Sequence, residues 1–346
     1  MMDTCTYIVL LNWNGWRDTI ACLESVFQSC DATFRVIVCD NDSSDGSLAK
    51  IAAWASGDIA AEAPEDRRLQ ELVGGASRPL SVAKLSASAI DSGSCSDRGE
   101  PLILIDNEGN LGFAAGNNIG LRYALSQKDM SNVWILNNDT LVDPHCLANM
   151  LRRLRREDTP KVCGSIIHFF DNPKTIQAIG GNRFNKRTGV ASQSEGRFRH
   201  EHELDDCNVI EEKIDYVSGC SMLIPRPLLE SVGLLNEDYF LYYEEIDWFT
   251  RAGMSSQPCI AADAHVYHRE GGSIGSPSLL QSRPSLIADF HIFRSKHLFM
   301  RKYHRSNLLW CYLHSCGEIG KRILRGHFKN ARVVLSVVLG ATSFRP

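Results

Sequence analysis

Short apolar runs alternate with segments of helical periodicity along much of this 346-residue chain, and this alternation limits the possible folds more than any other feature. The runs are apolar throughout and are bounded by Asn, Asp and Gly, which is typical of strands covered by helices on both faces. We therefore predict an α/β fold with a mostly parallel central sheet flanked by helices. The predicted strands are residues 7–11, 34–39, 102–105, 133–136, 216–224 and 264–267, and the predicted helices are residues 17–29, 114–125 and 244–252, with another helix opened by Asp143 and Pro144.

Two stretches of the chain depart from this alternation. Residues 55–100 are rich in Ala, Ser and Gly and show no clear periodicity, so we predict a flexible insertion there. After residue 275 the strands end, and basic, aromatic helical patterns follow. We therefore predict a main domain over residues 1–275 and a basic, helical C-terminal extension over residues 276–346.

The charge of the chain is distributed unevenly. Its formal net charge of −4 is too small to indicate nucleic-acid binding. Residues 290–346 hold eleven Lys and Arg but one acid, Glu318, so this part carries +10 and the remainder carries −14. A basic tail of this kind fits peripheral contact with an anionic membrane surface, although an amphipathic helix that packs on the core has the same pattern.

Cysteine usage and hydropathy indicate a cytoplasmic protein. The twelve cysteines include no CxxC pair, which favours a reducing compartment over a disulfide framework or a cysteine metal cluster. The N-terminal residues lack the charged region and cleavage site of a signal peptide. No apolar stretch approaches the roughly 20 residues that span a bilayer. We expect a cytoplasmic location, and the basic tail suggests the inner face of the cytoplasmic membrane.

Polar segments follow three of the predicted strands. They are Asn12-Trp13-Asn14-Gly15, Asp40 to Asp45, and Asn137-Asn138-Asp139. In open α/β sheets, ligands bind at the carboxyl ends of strands, so these segments are candidates for one site. Each segment taken alone also fits an ordinary turn, because Asn, Asp and Gly are common in turns.

Five motifs in order resemble those of family 2 glycosyltransferases, and the branch they look most like contains rhamnosyltransferases. The motifs are YIVLLNWNG at residues 7–15, VIVCDNDSSDGS at 36–47, NLGFAAGNNIG at 110–120, ILNNDTLVDP at 135–144, and the segment 217–248 with YYEEIDW. The resemblance implies the GT-A fold of nucleotide-diphospho-sugar transferases. It also implies a nucleotide-sugar donor, a glycan or lipid-linked glycan acceptor, and inversion at the anomeric carbon.

The resemblance implies donor-binding roles for several of these polar residues. Asp40 would accept a hydrogen bond from the imide N–H of uracil or thymine, since a carboxylate offers only acceptors. Helix capping by Asp45 or Ser44 is the structural alternative for this segment. Gly112 and Gly116 would allow a close approach of the donor. The full predicted donor-binding set is Asn12, Asn14, Asp40, Asn41, Asp45, Asn110, Gly112, Phe113, Gly116, Asn117, Asn138 and Arg294.

The segment Asn137-Asn138-Asp139 occupies the place of the family's DxD metal motif, with Asn137 where the first Asp stands. Mg²⁺ and Mn²⁺ prefer oxygen ligands, so Asp139 is the predicted metal ligand. His268 is the second predicted ligand, because it precedes the glycine-rich residues 271–273 as a metal-binding His does in related enzymes. His265 is its competitor nearby.

Three acids lie within four residues in Glu244-Glu245-Ile246-Asp247. An inverting transferase needs a base that takes the proton of the acceptor hydroxyl, and the resemblance assigns this role to Glu245, with Glu244 as the other candidate. Asp247 would contact the acceptor or orient its neighbours, and Asp238 could join the acceptor site. Acids in a first helical turn also stabilise the helix dipole without any catalysis.

The leading hypothesis is transfer from dTDP-L-rhamnose, or from a UDP-sugar, to a cell-surface glycan. A sugar-1-phosphate nucleotidyltransferase has a similar sheet, but its Gly-rich N-terminal loop with Arg or Lys is replaced here by NWNG. A non-catalytic, membrane-peripheral scaffold with a degenerate transferase domain is the third reading, and Asn137 is consistent with it. Glu245 and Asp139 favour an enzyme.

Overall fold

The computed structural model describes residues 4–94, 99–192, 197–200, 210–253, 258–269 and 285–344. Its largest element is a ten-stranded sheet with helices on both faces. The strands are β1 (Cys5–Asn12), β2 (Phe34–Asp40), β3 (Val82–Ser86), β4 (Leu102–Asp106), β5 (Met130–Asn137), β6 (Thr140–Val142), β7 (Val162–Phe169), β8 (Asn172–Ile179), β9 (Gly181–Asn185), β10 (Val190–Ser192), β11 (Tyr216–Val217), β12 (Ser221–Pro225) and β13 (Pro258–His268), of which β9 to β11 form a separate small sheet. The helices are α1 (Trp16–Val26), α2 (Ser47–Ser56), α3 (Arg67–Gln70), α4 (Ala87–Asp91), α5 (Gly112–Ser126), α6 (Cys146–Leu154), α7 (Arg226–Val232), α8 (Glu244–Ala252), α9 (Leu286–Tyr303), α10 (Leu308–Leu324) and α11 (Phe328–Val338).

The strand order is β3-β4-β2-β1-β5-β12-β7-β13-β6, and β8 pairs antiparallel with the second half of β7. The five strands from β3 to β5 run parallel, and β12 is antiparallel to β5 and β7. In the register, Asn12 lies opposite Asp40, and Leu11 lies opposite Asn137. The polar segments that follow β1, β2 and β5 therefore meet at one edge of the sheet.

The core has two apolar layers, one on each face of the sheet. Side chains alternate along a strand, so Tyr7 and Val9 of β1 pack on one face while Ile8 and Leu10 pack on the other. All four are fully buried. Burying one such aliphatic side chain stabilises a protein by about 1.5–3 kcal/mol. This two-sided burial explains the unbroken apolar runs, and the predicted central sheet is present.

Two predicted strands differ in extent from the observed ones. Residues 216–224 form two strands, because residues 218–220 turn out of the sheet between them. The amide of Ser221 bonds to the carbonyl of Ser218 within this turn, and the amide of Ser218 bonds to Gly180. The strand predicted at 264–267 extends over Pro258–His268, with an irregular pairing between Ala261 and His265.

The prediction of an unstructured insertion at residues 55–100 needs correction. β3 lies within it and pairs with β4 as the parallel edge strand of the main sheet. The side chains that β3 and α4 bury include the small Ala83 and Ala87, so the usual apolar periodicity is missing. Leu69 of α3 is fully buried as well. Small buried residues at a sheet edge thus produced a composition that resembles a loop.

The C-terminal helices α9, α10 and α11 pack on one another around Phe290, Phe293, Val334 and Val337. Asp289 is buried between them and accepts hydrogen bonds from Arg322 Nη2 at 2.6 Å and from Asn330 Nδ2 at 2.7 Å. The helical character predicted for this extension is present, and the predicted boundary at residue 276 lies outside the described residues. Within the described part of the chain, no helix combines the length and the apolar character needed to cross a membrane.

Candidate active site

A cavity of about 810 Å³ opens where β1, β2 and β5 end. Its wall also includes the start of α5, the turn after β11, the segment before α8, and α9. Nine of the predicted site residues line it, namely Asn41, Asn110, Gly112, Phe113, Asn138, Asp139, Glu244, Glu245 and His268. The polar strand ends and the acids of α8, distant in sequence, therefore share one cavity.

Asp139 and His268 lie side by side in the cavity wall. The carboxylate Oδ1 of Asp139 is 3.3 Å from Nε2 of His268. β6 pairs with the end of β13, and the amide of Arg269 bonds to the carbonyl of Asp139, so the backbone fixes this proximity. His265, the competitor, points elsewhere, since its Nδ1 is 2.9 Å from Nε2 of His168.

The other ring nitrogen of His268 is held by Gln177, which sequence reasoning did not identify. Nδ1 donates to Oε1 of Gln177 at 3.0 Å, so Nε2 is the ring nitrogen left towards Asp139 and the cavity. Nδ2 of Asn137 lies 3.3 Å from the same Nε2. Burial lowers the pKa of His268, but Cys220 and Asp139 raise it, and the net pKa is well above its ordinary value.

The side chains of Asp139 and His268 suit a hard divalent cation whose remaining ligands come from other molecules. Asp139 supplies a carboxylate oxygen and His268 an imidazole nitrogen, both acceptable to Mn²⁺ and Mg²⁺. Among the described residues, no group of three or more His, Cys, Asp or Glu could hold a metal by itself. The cation would therefore need oxygen atoms of a bound diphosphate or water to complete its shell.

Glu244 and Glu245 start α8 after a strained turn. Tyr242 and Tyr243 both adopt left-handed backbone conformations, with φ of 66° and 75°. Such conformations cost about 1–3 kcal/mol each in non-glycine residues and concentrate at functional sites. The turn sets both carboxyl groups against the cavity. Glu244 is 4% exposed, and its Oε2 has no hydrogen-bond partner within the described structure.

The two carboxyl groups have unequal surroundings. Burial raises the pKa of Glu244 well above its ordinary value, and the charge of Glu245 raises it further, against the amides of Glu244 and Tyr242. Burial also raises the pKa of Glu245, and the amides of Glu245 and Gly219 oppose that rise. Both pKa values are therefore raised, and the charge of one carboxylate disfavours ionisation of the other. We call Asp139, Glu244, Glu245 and His268 the cavity cluster.

Asp40 and Asn12 form a buried network instead of facing the cavity. Oδ1 of Asp40 accepts from Nδ2 of Asn12 at 2.5 Å and from Oγ of Ser43 at 2.7 Å. Thr19 Oγ1 donates to Oδ1 of Asn12 at 2.7 Å and accepts from Nδ2 of Asn138 at 2.9 Å. We call these five residues the buried network. The predicted direct contact of Asp40 and Asn12 with the base stays a prediction, and it would require some of these protein bonds to be exchanged for bonds to the ligand.

Asn14 and Asp45 serve the loops near this network. Asn14 Oδ1 accepts from the amide of Ser44 at 2.8 Å, and the amide of Asn14 donates to Ser43. Asp45 Oδ1 accepts from the amide of Ser47 at 3.0 Å, at the start of α2. Neither residue lines the cavity. The observed bonds are those of the turn and helix-start alternative, and the donor-binding role of both residues stays a prediction.

The glycines of α5 allow protein packing at close range. A Cβ on Gly112, whose φ is +79°, would lie 2.3 Å from the carbonyl oxygen of Phe240. The amide of Phe113 bonds to that same oxygen at 2.7 Å. A Cβ on Gly116 would lie 2.7 Å from Oδ1 of Asn41 and from Leu11. The close approach predicted for the donor is therefore an approach of the protein to itself.

The two remaining asparagines of this motif make local bonds. Oδ1 of Asn110 accepts from the amide of Gly112 at 3.2 Å, while its side chain still reaches the cavity wall. Asn117 is buried, and its Nδ2 donates to the carbonyl of Phe113 at 2.9 Å. Asn117 does not line the cavity, so its predicted amide contact with the donor needs correction.

Asp247 forms structural ion pairs and does not line the cavity. Its carboxylate is fully buried and lies 2.8 Å from Arg251 Nε and 3.0 Å from Lys302 Nζ. Burial raises the pKa of Asp247, but its bonds to Arg251, Lys302 and Asn236 lower it below its ordinary value overall. This burial and pairing do not fit the predicted contact with the acceptor. They fit the predicted orienting role, because Asp247 of α8 pairs with Lys302 of α9.

The cation nearest the cavity differs from the predicted one. Arg294 lies outside the wall and donates to the carbonyl of Asp238 at 3.1 Å. Arg197 is the only Lys or Arg among the described lining residues, and its guanidinium stacks over Phe169. Nothing in the surrounding sequence pattern identifies Arg197. From α9, His291 lines the cavity instead, with a pKa lowered to about 4 by burial and by the charge of Arg294.

Sequence comparison identifies a family segment that covers part of this structure. Residues 83–230 match the family described as glycosyl transferase family 2, so the resemblance is confirmed over that range. The low-salt glycan biosynthesis hexosyltransferase Agl10 of Haloferax volcanii is 27% identical over 148 residues. That match covers 43% of this chain and 45% of that protein, so it spans less than half of the relative's length.

Structural comparison finds the same fold in two transferases. The mannosyltransferase PcManGT of Pyrobaculum calidifontis, in complex with GDP-Man and Mn²⁺, gives a TM-score of 0.50 at 14% identity, over 98% of this chain and 76% of that chain. GalNAc-T7 with UDP, GalNAc and Mn²⁺ gives 0.51 at 13% identity, over 84% of this chain and 48% of that chain. Both are GT-A glycosyltransferases, so the predicted GT-A fold is confirmed.

Proposed function

We propose that this protein is a metal-dependent, inverting glycosyltransferase that moves a sugar from a nucleoside diphosphate to a glycan acceptor. The observation that carries the proposal is that Asp139, His268, Glu244 and Glu245 face one cavity of about 810 Å³. Cavities of about 300–1,000 Å³ hold small-molecule ligands in most proteins. A candidate cation site and a candidate base thus share a space suited to a nucleotide-sugar.

Asp139 and His268 would hold the cation. A divalent cation bound there supplies positive charge for the leaving diphosphate as a Lewis acid. Gln177 fixes the orientation of the His268 ring, and Asn137 occupies the position next to it. Arg197 adds a second positive charge at the cavity wall. This arrangement supports a metal site completed by the donor rather than a preformed one.

Glu245 would act as the base. Its carboxylate takes the proton of an acceptor hydroxyl while the hydroxyl oxygen forms a bond to the anomeric carbon. The bond from that carbon to the diphosphate breaks on the opposite face, and the nucleoside diphosphate leaves with its electron pair. A raised pKa suits this role because the best catalytic pKa lies near the working pH. The charge of Glu245 raises the pKa of Glu244, which would favour a single ionised carboxylate in the pair.

The donor and acceptor are the finer part of the proposal. The motif resemblance favours dTDP-L-rhamnose, with UDP-sugars as the next choice. The matched relative is a glycan biosynthesis hexosyltransferase, which supports a glycan acceptor. A cell-surface or lipid-linked glycan is the acceptor class we propose.

A thermal-shift panel tests the donor assignment. The protein is heated with dTDP-L-rhamnose, UDP-glucose or GDP-mannose, each with and without Mn²⁺ or Mg²⁺. A ligand at 100 times its Kd stabilises the folded state by about 2.7 kcal/mol, so a true donor gives a clear metal-dependent shift. The matching free nucleoside diphosphate is the control for base recognition.

Product analysis distinguishes a glycosyltransferase from a sugar-1-phosphate nucleotidyltransferase and from a non-catalytic scaffold. With the selected donor and a glycan acceptor, we expect release of nucleoside diphosphate and a product of inverted anomeric configuration. Release of pyrophosphate from a nucleoside triphosphate and a sugar-1-phosphate would instead identify a nucleotidyltransferase. The absence of any shift with every nucleotide-sugar would favour the non-catalytic scaffold.

A further inference from the structure

Helices α10 and α11, near the end of the chain, turn apolar side chains towards solvent. The structure describes both helices throughout, and none of their residues lines the cavity. The last turn of α10, the connection and the start of α11, residues 321–329 with the sequence KRILRGHFK, are together called here the hairpin tip. In the tip, Leu324 is 89% exposed, Phe328 is 66% exposed and Ile323 is 48% exposed. Such large exposed apolar side chains in one short segment mark an interaction surface.

The apolar surface continues along the outer side of α10. Leu309, Leu313 and Leu324 are exposed, whereas Cys311 and Ser315 are buried against the other helices. At 3.6 residues per turn, the three leucines fall within an arc of roughly 100° on the side away from the buried residues. A helix that only packs on a core shows the reverse arrangement, with its apolar stripe inward. The outer face of α10 is therefore suited to an apolar environment.

Cations surround the exposed apolar residues of the hairpin tip. Lys321, Arg325 and Lys329 are all exposed. The two acids of α9 to α11 are already neutralised, because Glu318 pairs with Lys321 and Arg322, and the buried Asp289 pairs with Arg322. The outer surface of the tip is therefore basic as well as apolar.

The sign of the charge decides between two occupants of this surface. A second copy of the chain packed tip to tip would bring these cations close to identical cations. An anionic bilayer instead attracts each Lys or Arg near its surface and accepts apolar side chains at the boundary of headgroups and acyl chains. Charge complementarity thus favours the lipid surface.

We propose that the hairpin tip docks on an anionic membrane, with Leu324 and Phe328 inserted below the headgroups and with Arg325 and Lys329 at the lipid phosphates. This inference does not depend on the proposed transferase activity, since it concerns a surface outside the cavity. The proposal names the residues that would make the membrane contact predicted from the basic C-terminal tail.

Vesicle sedimentation of the full chain tests the docking. Vesicles of phosphatidylcholine alone are compared with vesicles that contain about one third phosphatidylglycerol, at low and at physiological salt. We expect binding to the anionic vesicles only, weakened by salt because the Debye length shortens to about 8 Å at physiological ionic strength. Failure to bind anionic vesicles at low salt overturns the proposal.

Matched variants assign the binding to the tip. Leu324→Ser with Phe328→Ser, and Arg325→Glu with Lys329→Glu, should each weaken binding at least about tenfold, given the contribution of each basic or apolar group at a membrane surface. Arg155→Glu with Arg156→Glu reverses two exposed charges next to α6 and is the control that should bind as the parent does. Equal loss in the control would show general electrostatic attraction and contradict a role for the tip.

Two further measurements keep the inference testable if a variant is unstable. In Leu324→Trp, the added indole should shift its emission to shorter wavelength with anionic vesicles and not with neutral ones; an unchanged spectrum contradicts insertion. Light scattering without lipid reports the oligomeric state. A dimer that becomes monomeric in Leu324→Ser with Phe328→Ser would show that the tip joins two copies, and would replace the lipid surface as occupant.

Discussion

The buried network and the cavity cluster lie at the same edge of the sheet, yet their polar groups differ in what they bond to. In the buried network, the oxygens of Asp40 and Asn12 accept hydrogen bonds from other side chains of the network. In the cavity cluster, Oε2 of Glu244 is buried without a partner among the described residues, and burial raises the pKa of both glutamates. A polar group whose hydrogen bonds are made within the protein stabilises the fold, whereas a polar group without a protein partner is available to bind a ligand.

The largest effect is expected from Glu245→Gln in the cavity cluster. This change removes the proposed base and should lower kcat by about 10²- to 10⁴-fold, the usual contribution of general base catalysis. The donor-induced thermal shift should remain, because the amide keeps the size of the side chain. Steady-state transfer rates and the thermal shift together measure the two effects.

Glu244→Gln is the matched control for that prediction. Glu245 is the proposed base, so the replacement of Glu244 should cost far less activity than that of Glu245. If Glu244→Gln gives the larger loss, the two glutamates exchange roles and Glu244 is the base.

The next effect is expected at the proposed metal site. Asp139→Ala should weaken Mn²⁺ binding in the presence of nucleoside diphosphate by more than roughly 100-fold, since even residues that only orient metal ligands contribute 10- to 100-fold. Gln177→Ala should give a smaller loss, because it frees the His268 ring without removing a ligand. Calorimetric titration of Mn²⁺ measures both, and unchanged binding in Asp139→Ala would remove Asp139 from the site.

In the buried network, a substitution should affect stability more than chemistry. Asn12→Ala removes the donor to Asp40 and the acceptor from Thr19, so the free energy of unfolding should fall by about 1–3 kcal/mol, the cost of an unsatisfied buried group. Urea unfolding measures this. The kcat of the folded enzyme should change by only a few-fold, and a loss comparable to that of Glu245→Gln would erase the distinction between the two groups.

The smallest effect is expected on the pH dependence of stability. Because the folded pKa of Glu244 is raised above its ordinary 4.5, the folded state keeps a proton that the unfolded state releases, and stability falls as pH rises above about 4.5. Glu244→Gln, which has no proton to lose, should therefore be more stable than the parent at pH 7. The difference should vanish near pH 4, and a constant difference across pH would contradict this cause.

The sequence predicted the central sheet well, because two-sided burial leaves unbroken apolar runs such as that of β1. It also predicted α8 with both of its observed ends. It failed for β3, where small residues such as Ala83 and Ala87 are buried at a sheet edge without apolar periodicity. A sequence pattern therefore predicts a strand or helix where the buried positions are occupied by large apolar residues at the spacing of that element.

Motifs identified which residues gather at the cavity but not how each one bonds there. Asp139 and His268 lie together, yet Asp40 and Asp247, which look equally suitable in sequence, are engaged by Asn12 and by Arg251. Gln177 and Arg197 line the same cavity, and nothing in their local sequence indicates it. Long-range hydrogen bonds decide these roles, and a single sequence does not display them.

The bond between the amide of Phe113 and the carbonyl of Phe240, made possible by Gly112, has a practical consequence for protein engineering. It fastens the beginning of α5 to the stretch that leads into Glu244, although the two are far apart along the chain. A chimera that exchanges only one of these pieces with a relative would separate parts that fit each other. Attempts to retune donor choice should therefore transplant both pieces together.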